Sequence, residues 1–225
     1  MEQEKKKRSD SFDVARLRAD LAAREKWNDE TLRAMLRLVV AEEEEAAVRV
    51  LLVDSLVLNL LVDAPKKRPD TGTRDALRAQ FKEATQDRAL VLLPLHHDDH
   101  WSLLVYAPAW HHWFVADSLQ TYHEQRVLDV MARLDALRVV AKRDAQVTFF
   151  DRLPEQLSDY ECARYVVYYA FLAVHHYAAV GGGGGGAAGE YGRALGADLT
   201  DVTPARLPAF ERQLDAVLLS RVNKQ

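Results

Sequence analysis

Residues 96–118 read HHDDHWSLLVYAPAWHHWFVADS. Trp101–Ala107 reads as a strand and Trp113–Ala116 as the next, with Pro108-Ala109-Trp110 turning the chain between them. That connection is far too short for a parallel crossover, so the two are expected to pair as an antiparallel hairpin. Immediately upstream, Ala89–Leu95 is a continuous apolar run and a further strand of the same central sheet. Val48–Val53, rich in β-branched residues, reads as a buried strand, and Val147–Phe150 as another.

Helical patterns surround these strands. Phe12, Leu17 and Leu21 recur among charges until Trp27-Asn28-Asp29 breaks the pattern. Asn28 or Asp29 can cap the next helix, where Leu32, Met35, Leu36 and Val39 fall at helical spacing up to Glu42–Glu45. Asp54 or Ser55 starts a short helix through Leu61; Ala64–Thr73 is a loop, and Arg74–Ala84 an amphipathic helix. Tyr122–Leu137 is helical, Asp151–Asp159 is a loop, and Cys162 opens a long apolar helix to Ala179. Gly181–Gly186 is a flexible insertion within a Gly-rich loop at 180–189, and Pro204 begins a closing helix. We expect a mobile polar tail over 1–10 and one domain over 11–225.

Composition narrows the function. Of the 225 residues, 48% are hydrophobic, enough for a sizeable core, and the net charge of -4 leaves no dominant basic face for nucleic acid. The most apolar stretch, Val48–Val62, carries Arg49, Asp54 and Asn59 and is too short to span a bilayer. The start, MEQEKKKR, is charged and no apolar region follows it, so no signal peptide is expected. The single cysteine excludes an internal disulfide and suits a reducing compartment; the expected location is cytoplasmic and/or nuclear. The glycine run resembles neither a P-loop nor a dinucleotide fingerprint, and no cofactor is expected.

The lone Cys162, His100 far upstream at a strand start and Asp117 between them form a candidate nucleophilic set. A helix N-terminus favours negative charge, which suits a thiolate at Cys162. Asp117, at the end of the neighbouring strand, could fix the imidazole tautomer of His100 and stabilise its protonated form. Gln156, six residues before Cys162, could aim its amide at a developing oxyanion beside the Cys162 backbone N–H. Each residue also has a plain reading: a buried cysteine as a small hydrophobe, a surface histidine, a turn aspartate, a loop glutamine. His96, His97, Asp98, Asp99 and His100 offer metal-binding groups, but no spacing such as HExxH is present and no metal is expected.

His100-Trp-Ser-Leu-Leu-Val-Tyr106, then Asp117-Ser118, then Gln156 and Cys162, flanked by Tyr160 and Tyr165, resembles the sentrin-specific, ubiquitin-like-protein-processing cysteine proteases, most of all their deneddylating branch. Weaker similarity extends to Trp27-Asn28-Asp29 and to Leu199–Lys224. The resemblance implies a papain-like α+β fold: a central mixed sheet flanked by helices, with the nucleophile at the N-terminus of a long central helix. It implies cleavage after the C-terminal Gly-Gly of a Nedd-type or SUMO-type modifier, by a monomer needing neither nucleic acid nor membrane. Cys162 would be the nucleophile, His100 the base, Asp117 its orienter and Gln156 the oxyanion donor. Trp101 would cover a channel admitting only Gly-Gly, and Trp27, Asp29 and Tyr160 would contact substrate.

Two departures stand beside the nucleophile. The family usually has Asp-Cys-Gly where this chain has Glu161-Cys162-Ala163. The tryptophan of the deneddylating branch falls on Lys26 when Asn28-Asp29 are aligned, leaving Trp27 one place late. The alternatives are a modifier-binding module that has lost turnover and an acetyltransferase of related fold.

Overall fold

In the central strands nearly every residue is buried, and the two-residue alternation of side chains sorts them onto two covered faces. The computed structural model describes residues 13–44, 49–63, 71–120, 122–140, 145–180 and 188–222. The tail, most of the Ala64–Thr73 loop and the run Gly181–Gly186 lie outside the described residues. Five strands form one sheet in sequence order: β1 (Val50–Leu52), β2 (Leu90–His97), β3 (His100–Ala107), β4 (His112–Ala116) and β5 (Gln146–Phe149). The two edge strands pair parallel to their neighbours, whereas β2–β3 and β3–β4 are antiparallel. The sheet is thus mixed, and the hairpin expected from the short Pro108–Trp110 connection is present, closed by a 3-10 turn over those three residues.

Around the sheet lie α1 (Val14–Ala22), α2 (Asp29–Glu44), α3 (Ser55–Asp63), α4 (Thr71–Gln86), α5 (Glu124–Ala136), α6 (Cys162–Ala179), α7 (Ala188–Thr200) and α8 (Leu207–Val222). The parallel pairs need crossovers, and these supply the helices of one face. Val91, Leu93 and Leu95 of β2, Leu104 and Tyr106 of β3, and Trp113 and Val115 of β4 pack there with α3, α4 and α5. The intervening residues, Leu90 and Leu92, Trp101, Leu103 and Val105, Phe114 and Ala116, face the opposite way. They pack against α6, together with residues of α1, α2, α7 and α8. Pro94 is tolerated inside β2 because β1 pairs only with Leu90, Val91 and Leu92, so the residue without an N–H lies past the end of that ladder.

Local chemistry sets the ends. Asn28 caps α2, its side-chain oxygen accepting from the Thr31 N–H at 2.9 Å, as the sequence suggested. The histidine-aspartate cluster is tighter than the loop expected: β2 runs to His97, β3 starts at His100, and only Asp98 and Asp99 turn. Both have positive φ, 46° and 61°, the left-handed pair that a two-residue hairpin needs and that aspartate tolerates better than most residues. Helix α7 is an element that the glycine-rich composition of its segment concealed. Gly192 and Gly196, one turn apart on it, lie against the rings of Phe114 and Phe150, each so close that a Cβ would sit 3.0 Å from ring carbon.

Candidate active site

The register Leu103↔Ala116 carries one step further to set Asp117 opposite Ser102 and diagonal to His100, all on one face of the sheet. His100 and Asp117 are buried, and their Nε2 and Oδ1 atoms are 2.6 Å apart. The carboxylate also accepts the Leu119 N–H on Oδ1 at 2.9 Å and the His123 N–H on Oδ2 at 3.1 Å. Three donors therefore hold Asp117 in place, and it holds His100 by Nε2. Cys162 adds to the attraction that favours a proton on the His100 imidazole. Burial disfavours charge on His100, but the bond to Asp117 and the attraction of Asp117 and Cys162 outweigh it and raise its pKa to about 9.

Cys162 is the first residue of α6 and is buried, with Sγ 3.9 Å from the Asp159 carbonyl. The thiol thus sits where the orphan N–H groups of an 18-residue helix converge. Gln156 is fixed from the acid's neighbour. Ser118 donates its hydroxyl to Oε1 of Gln156 at 2.7 Å and accepts the Gln156 N–H on its carbonyl at 3.2 Å. With Oε1 engaged, the amide nitrogen is the end of the side chain left to donate. Adjacent residues Asp117 and Ser118 thus anchor the imidazole and the glutamine from one strand end.

One residue of the cluster gave no sequence signal. His123, within the expected Tyr122–Leu137 helix, stands just before its first helical residue, Glu124, and becomes visible only once Asp117 is placed. Its Nε2 lies 3.1 Å from the His97 carbonyl and must donate; its Nδ1, 2.7 Å from Ser102 Oγ, then accepts. Its ring centroid is 4.8 Å from that of His100. Burial and the repulsion of His100 lower its pKa to about 4 against the pull of Asp117. Two histidines flanking one carboxylate are thereby set apart, one charged and one neutral. His100, Asp117 and His123 are the one group of potential metal ligands found among the described residues. Their nitrogens already serve as hydrogen-bond partners within the protein, so the set does not fit a metal centre without being rebuilt.

The residues expected to contact substrate fare differently. Trp101 is buried and stacks on His96 with ring centroids 4.3 Å apart. Tyr160 is half-buried against the Arg164 guanidinium, 5.2 Å from its ring. Asp29 is half-buried and accepts the Ser55 hydroxyl at 2.7 Å. Trp27 departs from expectation: it is only 6% exposed, gives its indole N–H to the Asp20 carbonyl at 2.9 Å and carries Arg164 over its face at 4.7 Å. Lys26 is the exposed neighbour, its ammonium 3.4 Å from Asp99 and 3.6 Å from Asp159. Ala163, the second residue of α6, is buried in the core.

A mixed sheet, a central helix opened by a cysteine, and a buried histidine-aspartate pair are the features of a cysteine protease of papain-like fold. A comparison with family models agrees: the Ulp1 protease family, C-terminal catalytic domain, matches residues 25–177, more than half of the chain. The chain belongs to the Ulp1 protease family, and its class of reaction is thiol-dependent hydrolysis. Among solved structures, it is similar to the yeast Ulp1 protease domain in complex with Smt3, the yeast ortholog of SUMO. The TM-score is 0.58 at 14% identity over 91% of this chain and 81% of that one. The Xanthomonas campestris effector XopD bound to ubiquitin gives 0.57 at 22% identity over 88% and 92%. The Chaetomium thermophilum Ulp1-like SUMO protease domain gives 0.58 at 16% over 87% and 72%. Comparison with curated protein sequences returned no match.

Proposed function

We propose that the chain cleaves after the C-terminal Gly-Gly of a ubiquitin-like modifier, releasing it from a lysine isopeptide or from its precursor. The observation that carries this reading is the buried His100–Asp117 pair, 2.6 Å apart, together with a cysteine at a helix start, in a chain of the Ulp1 family. Cys162, as thiolate, attacks the carbonyl carbon of the terminal glycine, and the carbonyl electrons move to oxygen. The Cys162 backbone N–H and the Gln156 amide receive that oxyanion. As the C–N bond breaks, His100 delivers its proton to the leaving amine, leaving a thioester. A water then gives a proton to His100 and attacks the thioester; collapse of the second intermediate frees the glycine carboxyl and restores the thiolate. Asp117 keeps Nε2 of His100 as the donor to itself and stabilises the imidazolium throughout. Trp101, braced by His96, covers the approach, and a residue pair without side chains is the slimmest that can pass it.

The motif HWSLLVY favours a Nedd-type modifier, while the similar structures are complexes or relatives that handle SUMO or ubiquitin. A panel of Nedd-type, SUMO-type and ubiquitin probes, each ending in a Gly electrophile, separates these. Wild type should form a covalent adduct with one class through Cys162. Cys162→Ala should lose cleavage yet still bind that modifier. If no probe labels the protein, or if Cys162→Ala still cleaves, the reading fails. Acetylation of Cys162 by acetyl-coenzyme A would favour an acetyltransferase instead.

A further inference from the structure

We propose that Glu161 is a positioning residue that holds the loop carrying Gln156, and that this is why a glutamate precedes the nucleophile here. The inference rests on the proposed protease reading. The loop from Asp151 to Glu161 contains no helix or strand, so its shape depends on individual bonds. Upstream of Gln156 and at Gln156 itself, the bonds come from the end of β4: the two from Ser118, and Gln120 Nε2 to Glu155 Oε1 at 2.9 Å. Downstream, Leu157 projects into solvent at 79% exposure and contributes nothing to fixing the loop by packing. The backbone there is held by Glu161. Its Oε2 accepts the Leu157 N–H at 2.8 Å and the Ser158 N–H at 3.2 Å.

The geometry is that of one half of a capping box. In Ser158-Asp-Tyr-Glu161 the acidic side chain, three residues on, reaches back to the N–H of the serine. The Glu161 N–H in turn donates to the Ser158 carbonyl at 3.3 Å. These bonds close residues 157–161 into a turn whose two ends are Gln156 and Cys162, the donor and the nucleophile of the proposed reaction. A carboxylate beside a thiolate nucleophile does nothing to promote its ionisation; its two N–H partners account for its presence. Aspartate, the usual family residue here, is one methylene shorter, so the reach to both N–H groups is a property of this chain's glutamate.

A positioning role and a charge role separate on two variants. Glu161→Gln and Glu161→Ala both remove the charge, but only glutamine keeps an oxygen that can accept the loop's N–H groups. On the modifier that labels the wild type, Glu161→Ala should lose about tenfold in kcat with KM within about twofold, less than the ~100-fold or more of losing an oxyanion donor outright. Glu161→Gln should retain about a third or more of wild-type kcat, because one neutral hydrogen bond replaces a charge-assisted one. In a Gln156→Ala background, Glu161→Ala should add almost nothing, since the donor it positions is gone. Thermal unfolding of each variant checks that it is folded. Equal losses in the alanine and glutamine variants would make the residue's charge the cause. Independent losses in the double variant, or an alanine variant with wild-type kcat, would likewise overturn the proposal. Absence of labelling in the wild type would instead defeat the protease reading.

Discussion

At the scale of single residues, the shared carboxylate decides the chemistry. His100 is raised to about 9 because its bond to Asp117 and the attraction of Asp117 and Cys162 outweigh the cost of burial. A raised histidine stabilises the folded state fully below its ordinary pKa near 6.5, and that contribution is lost as pH rises through about 9. The imidazolium needed by the leaving amine disappears over the same range, so the alkaline limb of kcat/KM should fall near pH 9. Asp117→Asn should move that limb towards lower pH and reduce kcat by up to ~10⁴-fold through the wrong tautomer. A limb unmoved in the variant would remove Asp117 from the set. His123 has the opposite sign: held neutral, it supports folding above about 6.5, and that support declines as pH falls towards about 4. Cys162, His100, Asp117 and Gln156 were legible in the sequence because their chemistry is carried by residue type. His123 and the brace at Glu161 were not, because only the placement of Asp117 and of the loop gives them partners.

At the scale of elements, Arg164 ties the start of α6 to three other segments. Its buried guanidinium pairs with Glu211 of α8 at 2.7 Å and donates to the Glu25, Tyr160 and Asp20 carbonyls at 3.1, 3.0 and 3.4 Å, and also to that of Ala23. It thereby satisfies carbonyls at the end of α1 and before α2, while Trp27 and Tyr160 offer it their ring faces. Arg164→Met should lower stability by about 3 kcal/mol, the order expected when one partner of a buried pair is removed. Arg164→Lys should not restore it, since an ammonium cannot reach so many acceptors in one plane. Denaturant unfolding reads both; a loss near zero in the methionine variant would show that the ties are dispensable. Trp27 read as a substrate contact because of its place beside Asn28-Asp29. The arginine that encloses it lies 137 positions on by residue number (164 − 27), beyond any local pattern.

For the whole molecule, one sheet carries both cores. Leu104 and Leu103 are neighbours on β3 yet pack against opposite helix layers, so neither layer can loosen without exposing the sheet that supports the other. We therefore expect the described fold to melt in one cooperative step. Leu104→Ala, far from Cys162 in the layer of α3, α4 and α5, should cost about 2–5 kcal/mol. It should also shift the far-UV and near-UV circular dichroism transitions by the same amount. Two separated transitions would show the layers to be independent.

The sequence by itself determined the strands, the hairpin, the start of α6 at Cys162 and four residue types suited to thiol chemistry. Those features are local: periodicity, turn length, caps and residue type are written in neighbouring positions. Only the tertiary structure decided that Asp117 serves two histidines, that Trp27 is core, that α7 is a helix and that Glu161 braces the loop. Each depends on groups distant in sequence or on a backbone bend meeting its donor. The burial that keeps His123 neutral and the Asp117 carboxylate that keeps His100 charged against burial come together only once the sheet and helices have closed around them.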